Sequence, residues 1–421
     1  MLTASIITIG DELLIGQVID TNSAWIAQQL NKSGIPVLRR VAVGDNEKEI
    51  WASLKQEETV ADVILITGGL GPTSDDITKP ILCKYFNGKL ILNEEALKNV
   101  EYLFKEIFKK EATAINLKQA EVPDVCEVIP NKRGTAPGMW FEKEGKIFIS
   151  MPGVPFEMQG MITDYIIPRI TERFSLPAIS HQTLLTSGVG ESVLASMLSE
   201  FELSLPTNIK LAYLPAYGMV RLRLSSTGFN IVQLENEVKR QFEKMKSLVS
   251  EFLVTDLDES LSQVIGKLLL KLNKTVCTAE SCTGGFIAHQ LTLNAGASNY
   301  FKGSIISYDN EVKKNMLMVS ETTLKEFGAV SEETVIQMNK GVIAQLKTDY
   351  SIAVSGIMGP GGGSEEKPVG TVWIAVGNKK EIVSKKFHLR FDRVKNIEIT
   401  SQYALDMLRK FILKSSESTY R

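Results

Sequence analysis

The chemically most suggestive run in this 421-residue chain is Ala279-Glu280-Ser281-Cys282-Thr283-Gly284-Gly285, which follows a strand pattern over residues 275–278 and gives way to helical periodicity. A hydroxyl or thiol at a strand-to-helix turn lies beside N–H groups that a helix start leaves unpaired, and such groups can hold an oxyanion or a phosphate. Ser281 is thus placed as a nucleophile, while the blander alternative is that Ser281 or Thr283 only caps the helix. Cys282 is the rival nucleophile, adjacent and intrinsically more reactive. A base is offered by Tyr308-Asp309-Asn310-Glu311-Val312-Lys313. With Asn310 as N-cap, Lys313 falls in the first helical turn, where the dipole disfavours an ammonium. A neutral amine there can take a serine proton, with Tyr308 as relay; an ordinary solvated lysine is the competing reading. A Ser-His-Asp triad is weaker, because His289 falls mid-helix and His388 in a late strand. The third element, Ser355-Gly356-Ile357-Met358-Gly359-Pro360-Gly361-Gly362-Gly363-Ser364, brings backbone amides close to a phosphate or ribose, or else is a plain surface loop.

A second set lies near the amino terminus. Gly10-Asp11-Glu12 ends the first apolar strand, and Asp20-Thr21-Asn22 opens the first helix. After a strand over 63–67 comes Gly68-Gly69-Leu70-Gly71-Pro72-Thr73-Ser74-Asp75-Asp76-Ile77-Thr78. A glycine turn beyond a strand cradles phosphate, and nearby carboxylates hold a hard divalent cation, a pairing suited to attack on a phosphoanhydride. Capping explains Asp11 and Asp20 singly, and a solvated turn explains Asp75 and Asp76. Neither glycine run has P-loop or Rossmann spacing, so those modes of ATP and NAD binding are disfavoured.

The elements that must position these residues follow from periodicity. Short apolar runs at 5–9, 37–43 and 63–67 alternate with helical stretches at 22–31 and 93–109, which implies βαβ units and a parallel sheet. Residues 139–150 read as a hairpin and 155–174 as a helix with an internal proline. The order then changes to strand (182–186), helix (191–201), hairpin (210–225) and a charged helix (230–248), a small α+β insert. A second α/β series starts at Ser260, with strands over 275–278, 351–354 and 372–376.

Composition sets the outer bounds. Apolar residues make up 44% and charged residues 23%, as in ordinary globular proteins, and the formal net charge is −2. No positive field draws the chain to nucleic acid or anionic membrane, and no signal peptide or membrane span is expected, so the expected location is cytoplasmic. The four cysteines, Cys83, Cys126, Cys277 and Cys282, have no zinc spacing with the three histidines, and the first three are expected to be plain free thiols.

These motifs resemble the CinA (competence- and damage-inducible) family. A-E-S-C-T-G-G at 279–285, G-A-S at 296–298, Tyr308, Asn310 and Lys313 of Y-x-N-x-x-K, G-A-V-S at 328–331 and G-P-G-G followed by K-P-V-G-T match its nicotinamide-nucleotide amidase module. G-D-E-L-L, D-T-N, the 68–78 run, G-T-A-P-G at 134–138 and P-G-V-P-F-E-M at 152–158 match its molybdopterin-binding-like (MoCF) module, with Met151 for a usual leucine. The resemblance implies an α/β fold: two three-layer α/β domains at 1–175 and 257–421, joined by a small α+β KH-like domain at 176–256. It implies deamidation of nicotinamide mononucleotide by Ser281, Tyr308 and Lys313 without a cofactor. Thr283, Gly284, Gly285, Ser298, Asn310, Ser355, Gly356, Gly359 and Gly361 would surround the substrate, with Arg393 on its phosphate. For the first domain it implies an ADP-ribose pyrophosphatase using Mg²⁺, Mn²⁺ or Co²⁺, with K⁺ as a further candidate, held by Asp11, Asp75 and Asp76. Glu12, Asp20, Asn22, Gly68, Gly69, Gly71, Thr73, Thr78, Gly134, Pro152 and Glu157 would complete that site. The implied partners are small nucleotides and a second copy of the chain, with no nucleic acid or membrane, the connector lacking a basic G-x-x-G loop. The alternatives are a non-catalytic competence or DNA-damage regulator and a molybdopterin-binding protein. Two departures stand out: Met358 replaces a small residue, and Phe391 replaces a glycine before Asp392-Arg393, with the next arginine only at Arg409.

Overall fold

The computed structural model describes residues 2–73, 76–216 and 218–417, and the chain folds into two compact units. One comprises Met1–Ser180 with Ser226–Asn236, the other His181–Ser225 with Glu237–Arg421.

In the first unit a six-stranded sheet runs in the order Val37–Val43, Ala4–Ile9, Val63–Thr67, Lys146–Met151, Gly138–Lys143, Glu127–Ile129. The first four strands are parallel and the last two antiparallel to their neighbours. Alternation with period two splits each central strand between two cores. Ala4, Ile6, Val63, Leu65, Ile147 and Ile149 pack on one face, and Ile7, Ile9, Ile64, Ile66 and Phe148 on the other. Helices cover both faces, which is why these strands read as unbroken apolar runs. The helix expected over 155–174 contains a π turn at Ile162–Ile166, just ahead of Pro168, where a missing N–H would otherwise break the ladder.

The second unit holds two sheets. Ile209–Ala216, Met219–Gly228, Ala178–Ser187 and Leu253–Thr255 form the smaller, over a core of Leu184, Leu194, Leu198, Leu222 and Phe242. The hairpin tip expected at 216–218 includes Tyr217, which lies outside the described residues. The larger sheet has the order Phe301–Ile306, Val276–Glu280, Tyr350–Gly356, Thr371–Gly377, Ile382–His388. Its first three strands are parallel and the last two alternate in direction. The carboxyl ends of the first three and of the fifth therefore open on one edge, the usual place for a site in such a sheet. Helices Leu261–Leu272, Phe286–Thr292 and Arg393–Glu417 bury one face, while Asn310–Leu317 and Glu332–Leu346 bury the other. Gly341 permits the close approach of that last pair, since a Cβ on it would sit 1.9 Å from the Leu317 carbonyl oxygen.

Candidate active sites

The strand expected to stop at residue 278 continues through Glu280, and this changes the turn that follows. Glu280 is fully buried, and its carboxylate points back under the start of the helix. One oxygen accepts from the Thr283 hydroxyl at 2.7 Å and from the amides of Gly285 and Ile287, each at 3.1 Å. The other accepts from the Ala288 amide at 2.8 Å and the Thr278 hydroxyl at 3.0 Å. The amides expected to face an oxyanion are thus filled by a side chain of the protein. Thr283 is tied down in the same way and belongs to the turn's frame.

Ser281 comes next, its amide donating to the Val354 carbonyl at 3.0 Å; its hydroxyl makes no hydrogen bond to any described residue. On the neighbouring strand the Ser307 amide donates to the Glu280 carbonyl at 2.8 Å, which sets Ser307 against the 280–281 peptide. The Ser307 carbonyl in turn accepts from the Lys313 amine at 2.8 Å, and the Tyr308 carbonyl accepts from it at 3.2 Å. Lys313 is 1% exposed, and burial pushes its pKa below the ordinary lysine value against the opposing pull of Cys282 and Asp309. The N-cap of its helix is Asp309, accepting from the Glu311 amide, so Asn310 is the first helical residue and exposed. The depressed pKa comes first from desolvation, and the dipole argument based on an Asn310 cap does not apply. Cys282 packs in the core, and burial pushes its thiol up to about 12.

Tyr308 is 63% exposed and its hydroxyl accepts from Arg393 at 2.8 Å, so it faces outward and bonds the guanidinium in place of Ser281 or Lys313. The other arm of Arg393 donates to the Gly359 carbonyl at 2.8 Å. This fixes a guanidinium at the mouth between the glycine loop and the Tyr308 turn. Ser355 is buried with its hydroxyl on the Ala329 carbonyl at 2.6 Å, a loop-to-strand tie, and Gly356 packs against Thr371 and Val372. Gly361 is open to solvent, and Gly284 has clear space around it. Met358 is buried in the core, so its bulk points away from the loop surface. Ser298 lies elsewhere. It precedes the strand Phe301–Ile306, and because that strand is parallel to Val276–Glu280, residue 298 sits at the amino edge of the sheet, opposite Ser281.

In the first unit a cavity of about 440 Å³ opens at the carboxyl ends of Ala4–Ile9, Val63–Thr67 and Lys146–Met151. Gly68, Gly69, Gly71 and Pro152 line it with the carboxyl residues Glu12, Asp45, Asp76 and Glu157. Asp11 and Asp45 exchange amide-to-carboxylate hydrogen bonds at 3.1 Å each way, and Asp45, which the sequence reading did not single out, is the one on the wall. Asp76 accepts from the Thr73 amide at 3.0 Å and hydroxyl at 2.5 Å. Asp20 caps the helix Thr21–Lys32 through Ser23, while the Asn22 amide group reaches the Gly153 carbonyl at 2.7 Å. Both line a smaller adjoining recess. Gly69, at φ 63°, lies so close to Thr78 that a Cβ would stand 2.1 Å from its hydroxyl oxygen. That hydroxyl is buried without a partner. Gly134 packs against the Glu157 carboxyl, whose pKa is raised by burial.

Asp75 lies outside the described residues, and among those described no three acidic, histidine or cysteine groups converge on one point. The charged groups on the wall are all carboxylates, and a Mg²⁺-class ion takes one or two carboxylates with water and phosphate completing its shell. The donor chemistry fits. Lys79, unremarked in the sequence, donates to the Gln119 carbonyl at 2.9 Å behind Asp76; burial brings its pKa to about 8 against the charge of Glu121.

Comparison with known proteins is decisive at the level of family. The chain is 46% identical over 413 residues to a CinA-like protein of Flavobacterium psychrophilum, covering 98% of this chain and 99% of that one. The chain belongs to the CinA family. A CinA-like protein of Cytophaga hutchinsonii is 44% identical over 407 residues, 97% of each chain. Family models for a probable molybdopterin binding domain, the damage-inducible protein CinA KH domain and the CinA C-terminal domain match residues 5–172, 181–254 and 258–412. Among solved structures, the competence/damage inducible protein CihA from Agrobacterium tumefaciens is 39% identical over 36% of this chain and 92% of its own, with a TM-score of 0.35. All four cysteines of this CinA chain are free, and no helix among the described residues is long and apolar enough to cross a membrane. The residues missed by sequence reasoning are Glu280, Asp309, Asp45, Lys79 and Ser307, whose buried hydroxyl lacks a partner beside the Ser281 turn. Glu280 stood inside the quoted motif; the others carried no signal beyond their type.

Proposed function

We propose that the CinA C-terminal domain hydrolyses the carboxamide of nicotinamide mononucleotide to nicotinate mononucleotide and ammonia. The carrying observation is Lys313. A neutral amine has two N–H bonds and one lone pair; two carbonyls take the N–H bonds, and burial favours the neutral form. The lone pair is then free for a proton from the neighbouring turn. Ser281 Oγ adds to the carboxamide carbon as its proton passes to Lys313. The resulting ammonium protonates the departing nitrogen, ammonia leaves, and a nicotinoyl ester remains on Ser281. Water, deprotonated by the same amine, opens the ester and restores the hydroxyl. Arg393, held by Tyr308 and Gly359, takes the substrate phosphate, which makes Tyr308 a positioning residue. Cys282 supports the choice of serine, since its thiol stays protonated at neutral pH. Ammonia release by the full chain should vanish in Ser281→Ala and largely survive in Cys282→Ala. The reverse pattern assigns a thiol enzyme, and no release by the unaltered protein favours the regulatory reading.

The carboxylate-lined cavity of the first unit favours a second activity, cleavage of ADP-ribose to AMP and ribose 5-phosphate. Asp45, Asp76 and Glu12 would hold a divalent cation, which would polarise the pyrophosphate when bound. The Gly68–Gly69 turn sets the phosphate side of the cavity. The full-length Ser281→Ala protein with Mg²⁺, Mn²⁺ or Co²⁺ should still form AMP from ADP-ribose. Tight pterin binding with ADP-ribose left intact would replace this reading by the molybdopterin-binding one.

A further inference from the structure

The second unit contains a cavity of about 670 Å³ that neither proposed activity uses. It opens where the small sheet and its hairpin meet the far end of the helix Arg393–Glu417 and the antiparallel strands of the larger sheet. Its volume is in the ~300–1,000 Å³ range of small-molecule sites. One wall is aromatic. The rings of Phe387 and Tyr403 lie 4.8 Å apart and inclined by 31°, and Tyr403 is seated by Gly218, where a Cβ would stand 2.5 Å from the ring. Gly218 has φ 76°, so both its backbone and its missing side chain shape that wall.

Three lysines also line the cavity. Lys385, Lys410 and Lys414 face one carboxylate, that of Asp406, which leaves an excess of two positive charges. Asp406 is occupied: it accepts from the Ser187 hydroxyl at 2.5 Å and pairs with Arg409 at 2.9 Å and Lys410 at 2.8 Å. Lys385 lies over the Phe387 ring, 5.2 Å from its centre. Its amine and that of Lys414 pair with no carboxylate among the described residues. An aromatic wall beside uncompensated ammonium groups is complementary to a planar ring carrying a phosphate.

We propose that this cavity is a second ligand site of the chain and takes a nucleoside monophosphate, with its base against Phe387 and Tyr403 and its phosphate between Lys385 and Lys414. The recess has the volume of a single small ligand, so it suits one nucleotide in preference to a strand. The proposal does not depend on either activity above, since none of these residues belongs to the Ser281 edge or to the first unit.

The test is titration calorimetry on the full-length Ser281→Ala protein with AMP as probe, beside the same protein carrying Lys385→Glu and Lys414→Glu, and separately Tyr403→Ala. AMP can also enter the first unit as a product and the Arg393 site as a mononucleotide, so each titration is repeated on a Gly69→Ala background that also carries Arg393→Ala, to close both. On this background AMP should still bind at one site, and the double charge reversal should weaken it by about tenfold or more, as expected for charged hydrogen bonds. Inorganic phosphate should compete poorly, because it cannot use the aromatic wall. The double variant should retain full ammonia release when Ser281, Gly69 and Arg393 are restored, which shows that it is folded. No AMP binding on this background, equal binding by the charge-reversed protein, or a preference for an oligonucleotide over AMP would each overturn the proposal.

Discussion

Removing the Glu280 carboxylate should be among the most damaging single changes in the second unit, although the residue touches no substrate. Glu280→Ala deprives the amides of Gly285, Ile287 and Ala288 of their acceptors, together with the hydroxyls of Thr278 and Thr283. A buried donor left without a partner costs about 1–3 kcal/mol, so three amides amount to roughly 3–9 kcal/mol before the hydroxyls are counted. That is a large part of the ~5–15 kcal/mol that holds a typical domain together. Glu280→Gln keeps one acceptor oxygen, which can serve the three donors now on one carboxylate oxygen. Its NH₂ group then faces the Ala288 amide, so one amide is orphaned, at about 1–3 kcal/mol. The order of stability should be wild type, then Gln, then Ala. Hydrogen exchange resolved to residues 285–288 reads the effect locally, and urea unfolding of the full chain reads it globally. Wild-type protection at Ile287 and Ala288 in Glu280→Ala, with an unchanged urea midpoint, would refute the reasoning. Ammonia release should fall with the same ranking, because Ser281 directly follows the anchor.

Three further outcomes follow from the two sites. Ammonia release should rise with pH as Lys313 loses its proton, with a midpoint below the ordinary lysine value because burial lowers that pKa; Lys313→Met should remove this limb and cost about 10²–10⁴ in rate, the usual worth of a general base. Arg393→Ala should raise KM for the mononucleotide by about 10- to 150-fold, the worth of one charged hydrogen bond, while leaving kcat nearly unchanged. Gly69→Ala should abolish AMP formation from ADP-ribose and leave ammonia release intact, since its Cβ would meet the Thr78 hydroxyl at 2.1 Å in a backbone at φ 63°.

Much of the fold was legible because it is written in short-range periodicity. The run Val63–Thr67 is apolar at all but its last position, as a strand covered on both faces requires. The strand-end glycine runs then marked the two sites. The limits of local reading appear at strand ends. The strand expected over 275–278 continues through Glu280, a residue costly to bury: five donors gathered from residues 278–288 replace the water that the carboxylate loses. No window around Glu280 announces that compensation, since the amides become donors only after the helix forms.

Ser298 and Tyr308 show a different limit, that of spacing without register. Both lie in motif segments flanking one strand, Phe301–Ile306, and the sequence does not say which end of that strand faces the nucleophile. Register decides it. Cys277 pairs with Gly303 and Glu280 with Ile306, so residues after 306 share an edge with Ser281 and residues before 301 do not. The strand's six residues span about 20 Å at ~3.3 Å per residue, too far for Ser298 to reach the turn. Tyr308 is on the right edge but on the wrong side of its own backbone. Its carbonyl and that of Ser307 point inward to Lys313, which turns the ring outward to Arg393. The same two carbonyls that accept from Lys313 thereby leave the Tyr308 hydroxyl to the guanidinium. On the proposed mechanism one turn of chain sets both the base and the phosphate clamp, so a substitution that re-aims the 307–308 peptide should disturb rate and KM together.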